Sequence, residues 1–159
     1  MLRAGECWQR LEDLLAQFSL ELHPVVADSE IPGSHWGAPE AGLKANRVYA
    51  RADTPVHSVL HESGHAICMS ATRRSHLDTD AGGDDHEENA VCYLQILLAR
   101  EFYADSLKSV CADMDDWGYT FRLGSAQAWF LRDAHDARAW LHRYGLIGAD
   151  DQPTYQLRA

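Results

Sequence analysis

The feature that most constrains the fold of this chain is a well-delimited amphipathic segment at residues 53–74, DTPVHSVLHESGHAICMSATRR. Thr54 is a predicted N-cap, and Pro55 suits the first helical position, where its missing N–H costs no hydrogen bond. The segment predicts a helix from residue 55 to about Arg73, with its histidines on the flank of an apolar face. That face consists of Val56, Val59, Leu60 and Ile67.

The motif HESGH within this helix places two histidines one turn apart. His61 and His65 project from the same side, which is the spacing at which two imidazoles reach one tetrahedral ion. Glu62 lies beside them around the helix, where a general base belongs if it must activate a water without binding the metal. The plainer interpretation is a surface helix with two titratable histidines. A catalytic zinc site also needs a third protein ligand and one open position.

A second predicted helix, which begins near Asp85 and runs through HEENAVCYLQILLAREFYADSL, offers that third ligand. Its apolar pattern places Glu87 on the buried stripe, where an unpaired carboxylate would be strongly destabilising. A metal would remove that penalty, so we predict that Glu87 completes the site. Glu88 is turned about 100° away and is the alternative if the helix phase differs. Glu101 lies too far along the axis and suits a structural ion pair.

The remaining segments predict further helices and a small sheet. Residues 6–18 repeat apolar side chains at helical spacing, and two or three strands with a long loop are expected between residues 22 and 53, around HPVVAD and NRVYAR. Residues 115–125 favour a turn with a short extended piece, and residues 126–146 favour one or two helices that Gly145 ends. We therefore predict one compact α+β domain over residues 1–159, mostly helical, with a small sheet beside the HExxH helix.

Charge and composition limit the partners of this chain. Its 159 residues have the length of one domain, and 24 acidic against 14 basic residues give a formal charge of −10. Nucleic-acid binders concentrate Lys and Arg on one face, so a nucleic-acid partner is not expected. The sequence contains neither a signal peptide nor an apolar run of membrane-spanning length, so we expect a cytoplasmic protein. Only the last few residues look like a disordered tail. The cysteines are widely spaced and fit reduced, structural thiols: Cys7, Cys68, Cys92 and Cys111.

These motifs resemble the gluzincin metallopeptidases, in particular the small cytoplasmic members that cleave phage or radiation-response repressors. The resemblance covers roughly residues 46–105 and rests on HESGH, on Glu87 after 21 intervening residues, and on Ala90 and Tyr93 at three and six positions beyond it. It implies a zincin-like fold, a peptide or protein substrate and a Zn²⁺ ion. In that family pattern the ion is held by His61, His65 and Glu87, and Glu62 is the base.

Departures from related patterns narrow this resemblance. Cys68 and Ala71 stand where metzincins have a glycine and a third histidine, which excludes that family. Val91 occupies the place of an aspartate found in thermolysin-like enzymes. Peptidases of this type usually stabilise the oxyanion with a Tyr, His or Arg. The last third of the chain offers Tyr119, Arg122, His142 and Tyr144 for that role.

Two other functions stay open at this point. ANRVYAR, HESGHAIC and the following Arg-Arg pair resemble the elongation factor P hydroxylases, which implies Fe²⁺ and oxygen chemistry on a protein side chain. Two histidines and a carboxylate also satisfy the facial triad of non-haem iron enzymes. A non-catalytic binding domain with a structural ion is the third possibility, and a closed site with Cys68 or His57 as fourth ligand would favour it. His57, one turn before His61, is otherwise expected at the mouth of the site, and NRVYAR is a candidate edge strand for pairing with a peptide.

Overall fold

The computed structural model describes residues 1–78 and 80–159 and confirms a mostly helical α+β fold with a small sheet. The strands are β1 (Glu21–Pro24), β2 (Gly42–Lys44) and β3 (Arg47–Ala50). The helices are α1 (Trp8–Gln17), α2 (Val56–Cys68), α3 (Ala71–His76), α4 (Asp85–Leu98), α5 (Ser106–Trp117), α6 (Ala126–Arg132) and α7 (His135–Arg143). Short 3-10 turns lie at Ala4–Glu6, Ala99–Glu101 and Arg122–Gly124.

The sheet has the strand order β1-β3-β2, with β1 parallel and β2 antiparallel to β3. The strand NRVYAR is therefore central, and its prediction as a free edge strand is wrong. β2 lies in the Gly- and Pro-rich segment, where the chain folds back and the Leu43 N–H donates to the Gly33 carbonyl (3.3 Å). Both β2 and β3 contact α2, so the sheet lies beside the HExxH helix as predicted.

The HExxH helix begins one residue later and ends earlier than the sequence predicts. Pro55 is the N-cap, while the Thr54 hydroxyl accepts a hydrogen bond from the Arg51 N–H (2.9 Å). The helix stops at Cys68 because Met69 is extended and the Ser70 side chain caps a new helix, α3. The prediction of a continuous helix to Arg73 is therefore wrong, and the break at Met69 separates α3 from the HESGH helix.

α4 begins at Asp85 as predicted, with the Asp84 carboxylate accepting from the Glu87 N–H (2.9 Å). It ends at Leu98, and the chain passes through a 3-10 turn before α5 starts at residue 106. The apolar pattern continues across this break because Phe102 is also buried. Periodicity alone therefore predicted one long helix where there are two.

α2 is the buried centre of the fold. Every residue of this helix is buried except His61 and Glu62, which are partly exposed. The interpretation of HESGH as part of a surface helix is therefore wrong. Neighbouring elements pack around it, including β2, β3, α4 and α5. In the described part of the chain, no helix is both long enough and apolar enough to span a membrane.

α2 packs tightly against α4 at Gly64, and this contact allows a test of the packing. A Cβ added to Gly64 would lie 2.9 Å from Val91 Cγ1, and a β-branched side chain in a helix has little freedom to rotate away. We expect Gly64→Ala to lower the free energy of unfolding by about 1–2 kcal/mol, since overpacking outweighs the gain in helix propensity. Thermal unfolding measures this. The double variant with Val91→Ala should recover part of the loss, and a Gly64→Ala protein more stable than wild type would contradict the close contact.

Candidate metal centre

Two helices bring three potential metal ligands together. His61 and His65 lie one turn apart on α2, and Glu88 lies on the first turn of α4. The two histidine Nε2 atoms are 3.1 Å apart. The Glu88 carboxylate spans the pair, with Oε1 3.5 Å from His61 Nε2 and Oε2 3.4 Å from His65 Nε2. Three side chains thus converge on one point.

Glu87, the predicted third ligand, is not part of this group. It is buried as predicted, but its Oε2 accepts from Arg73 Nη1 (2.9 Å) and lies 3.3 Å from Arg158 Nη1. The buried side of α4 near its N-terminus thus faces two guanidinium groups, and the side carrying Glu88 faces the histidines. The predicted site therefore needs a correction at this position: Glu88, the reserve candidate, occupies the place assigned to Glu87.

Gln95 on α4 holds one of the histidines, a contact that the sequence analysis missed. Its Oε1 lies 3.1 Å from His61 Nδ1, and its Nε2 donates to the His57 carbonyl (2.9 Å). An acceptor at Nδ1 fixes the proton there and leaves Nε2 free to bind a metal. Gln95 is seven residues after Glu88, which places both side chains on the same face of the helix. This seven-residue spacing is the feature of the sequence that could have identified Gln95 as a neighbour of the histidines.

The chemical state of His65 suits metal binding. Burial, and then the neighbouring His61, lower the pKa of His65 well below its usual value. The imidazole is therefore neutral, and a neutral ring is the form that ligates metals. His65 Nδ1 is buried and has no hydrogen-bond partner among the described residues.

The carboxylate of Glu88 is in turn contacted from within its own helix. Cys92, one turn along α4, lies with its Sγ 3.8 Å from Glu88 Oε1. Burial, and then the charge of Glu88, raise the pKa of the Cys92 thiol well above its usual value. The thiol therefore stays protonated and can donate to the carboxylate.

Glu62 lines the same cleft as the three converging side chains. Burial, and then the carboxylates of Glu40 and Glu88, raise the pKa of Glu62 to about 8. A cation held between the histidines would oppose these effects and favour the carboxylate form. Glu62, the predicted proton acceptor, thus lies in the cleft that the two histidines line.

The cleft has a volume of about 480 Å³. Its lining includes a loop containing Asp80, Ala81 and Gly82 and the aromatic side chains of Trp36, Trp117 and Tyr119. Trp36 is 81% exposed, so a large apolar surface faces solvent beside the site. The lining in the described part of the chain includes no Lys or Arg and carries four carboxylates, those of Glu40, Glu62, Asp80 and Glu88.

Among the predicted oxyanion-stabilising residues, Tyr119 is the one that lines the cleft. Its ring packs edge-on against His61, with the centroids 5.3 Å apart. Burial raises the pKa of Tyr119 well above its usual value, so the phenol keeps its proton. The other three candidates lie elsewhere: Arg122 pairs with Asp133, His142 with Asp151, and Tyr144 stacks beneath Arg158.

His57 and Cys68 were the two fourth ligands considered from the sequence. Both lie apart from the group formed by His61, His65 and Glu88. His57 is fully buried rather than at the mouth of the site, and it packs against Trp117 and Tyr119. Burial lowers its pKa to about 4, so the ring is neutral. Cys68 is buried at the end of α2, and burial raises its pKa. Within the described residues, neither side chain belongs to the cluster of His61, His65 and Glu88.

Comparisons with models of protein families, with curated proteins and with solved structures found no significant match.

Proposed function

We propose that this protein is a zinc-dependent metallohydrolase that cleaves a peptide or protein substrate. The observation that carries the proposal is the convergence of three side chains. His61 Nε2 lies 3.1 Å from His65 Nε2 and 3.5 Å from Glu88 Oε1, and His65 Nε2 lies 3.4 Å from Glu88 Oε2. Ligands about 2.0–2.1 Å from a tetrahedral zinc ion lie about 3.3 Å from one another. The two histidine nitrogens have this spacing, and each has one Glu88 oxygen at a similar distance, so the donor set fits zinc. All three side chains line the cleft, which has room for water or substrate beside them.

The residues in and around the cleft have separate roles in hydrolysis. Bound at His61, His65 and Glu88, zinc would supply Lewis-acid polarisation of the scissile carbonyl and would acidify a water molecule. Glu62 accepts a proton from the attacking water and returns it to the leaving amine. Tyr119 donates its phenolic proton in a hydrogen bond to the oxygen that gains negative charge. Gln95 keeps the His61 ring in the orientation that presents Nε2 to the site.

Elemental analysis by mass spectrometry tests the proposal most directly. The protein is purified without a His-tag and compared with His61→Ala. We expect one equivalent of zinc in wild type and loss of the metal in the variant, followed by zinc-dependent cleavage in a peptide-library screen. Absence of metal from wild type, even after anaerobic reconstitution with Zn²⁺ or Fe²⁺, would overturn the assignment.

A second candidate function rests on the same donor set. Two histidines and one carboxylate also form the facial triad of iron-dependent oxygenases, which would make the protein a hydroxylase of a protein side chain. Fe²⁺ in place of zinc, together with substrate-dependent oxygen consumption, would favour this alternative. The non-catalytic binding domain loses support, because the described residues bring together three ligands and leave Cys68 and His57 apart from them.

The charge of the cleft predicts which substrates are preferred. Its lining carries four carboxylates, and a divalent ion would neutralise only two of these charges. We therefore expect peptides with Lys or Arg near the scissile bond to be cleaved faster than peptides with Glu. Asp80→Asn should reduce that preference in kcat/KM by about twofold to fivefold, the range for a solvent-screened charge pair. The matched control is Asp78→Asn, whose carboxylate is exposed and pairs with Lys44. An unchanged preference in Asp80→Asn would contradict this expectation.

Gln95 provides a test of how the metal site is oriented. Gln95→Leu removes the acceptor at His61 Nδ1 and leaves the His57 carbonyl without its donor. We expect the zinc dissociation constant to rise by about 10- to 100-fold. Competition with a chelator of known affinity measures this. Gln95→Glu keeps an acceptor for Nδ1 and should retain more of the affinity, so equal losses in both variants would argue against an orienting role.

A further inference from the structure

Glu87 is adjacent in sequence to the proposed ligand Glu88 and has a different set of partners. Its side chain is buried at the start of α4, and its Oε2 is shared by two guanidinium groups, those of Arg73 and Arg158. The two arginines come from distant parts of the chain. Arg73 is on α3, which follows the metal-binding helix, and Arg158 is in the last segment of the chain.

Arg73 connects Glu87 to one wall of the cleft. While Nη1 donates to Glu87, Nη2 donates to the carbonyl of Ala81. Ala81 lies in the loop whose residues line the cleft together with Trp117 and Tyr119. The loop also approaches Glu87 directly, because a Cβ added to Gly83 would lie 2.9 Å from Glu87 Oε1. Arg73 and Glu87 therefore join this part of the cleft lining to α4.

Arg158 connects Glu87 to the end of α2. Its N–H donates to the Ile67 carbonyl (3.0 Å), and its Nη1 donates to the Cys68 carbonyl (3.2 Å) as well as contacting Glu87. The Arg74 guanidinium donates twice to the Arg158 carbonyl (2.7 and 3.1 Å), and the Arg158 guanidinium lies 3.9 Å from the centroid of the Tyr144 ring. The segment expected to be disordered is thus docked, and it ties the end of the HExxH helix to α4.

A purely stabilising role is a poor explanation for this arrangement. Burying a carboxylate between guanidinium groups costs desolvation energy, and apolar replacements of buried ion pairs are often no less stable. Hydrogen bonds between arginine and carboxylate groups do fix the relative orientation of the elements that they join, because these bonds are charge-assisted and geometrically restricted. The ion pairs join the helix that carries both histidines, the helix that carries Glu88, and the loop that forms one wall.

We propose that the Glu87 hub, defined as Glu87, Arg73 and Arg158, positions Glu88 against the two histidines and holds the loop at Ala81 in place. Glu87 is then a positioning residue rather than a ligand. The effect on metal binding rests on the proposed function, whereas the effect on the loop does not.

The test compares Arg73→Ala and Glu87→Gln with wild type and with Asp151→Asn. Asp151 is a suitable control because its carboxylate also lies between two basic side chains, His142 and Arg138, and none of the three lines the cleft. Zinc affinity is measured by chelator competition, and the Co²⁺-substituted proteins are compared by their visible absorption, which reports ligand geometry. Backbone ¹⁵N order parameters of the metal-free proteins at Ala81, Gly82 and Gly83 report the loop.

We expect both hub variants to bind zinc about 10- to 100-fold more weakly than wild type, with an altered Co²⁺ spectrum and lower order parameters in the loop, and the control to match wild type. Folded hub variants with wild-type zinc affinity would overturn the proposal. If wild type itself bound no zinc, the proposed function would fail and the order parameters would decide: a more mobile loop in the hub variants supports the hub, and an unchanged loop overturns it.

Discussion

Glu62→Gln is expected to bind one equivalent of zinc and to lose about 10²- to 10⁴-fold in kcat/KM, the usual contribution of a positioned general base. The amide has nearly the shape of the carboxylate but cannot accept a proton. Because Glu62 lines the cleft without belonging to the converging group of His61, His65 and Glu88, its replacement leaves the metal ligands intact. Metal content and peptidase activity, measured on the same preparation, separate the two effects.

The control for this variant is Glu101→Gln, which removes a carboxylate outside the cleft. We expect it to keep both metal and activity. Full activity in Glu62→Gln would eliminate Glu62 as the base. Loss of zinc together with activity would instead show that Glu62 is a ligand, which is the arrangement expected more readily of the iron-containing alternative.

The parts of the site predicted from the sequence were those set by local spacing. The helical repeat alone places His61 and His65 on the same side of their helix. Glu62 lies next to them because it directly follows His61 in the sequence. The start of α4 was likewise predictable, because Asp84 caps the helix through a contact three residues away. Each of these features depends on residues within one or two turns.

The parts that could not be predicted depend on long-range contacts. The apolar stripe of α4 identified Glu87 as buried, but nothing in that stripe indicates that Arg73 and Arg158, the latter 71 residues away, supply its counter-charges. A metal was therefore the available explanation for a buried carboxylate. A capping side chain at Ser70 ended α2 early, although the sequence pattern would have continued the helix. In both cases a polar contact determined the structure, and apolar periodicity carries no information about such contacts.

Glu88→Ala is expected to lose zinc altogether, whereas Glu87→Gln still binds one equivalent at saturating zinc with reduced affinity. Glu88 lies 3.4–3.5 Å from both Nε2 atoms, so its removal leaves two ligands where a catalytic zinc takes three. The loss should exceed the about 10- to 100-fold that removal of an outer partner costs. Equilibrium dialysis followed by elemental analysis gives the stoichiometry at each zinc concentration.

Arg73→Ala makes this comparison decisive, because it removes a partner of Glu87 and leaves both carboxylates in place. If Glu87 acts through the hub, Arg73→Ala weakens zinc binding as Glu87→Gln does. If Glu87 were itself the ligand, as helix phase alone suggested, Glu87→Gln would abolish binding. Arg73→Ala would then free the Glu87 carboxylate for the metal and increase the zinc affinity, and Glu88→Ala would keep its zinc. The order of the three affinities therefore identifies which of two adjacent glutamates completes the site.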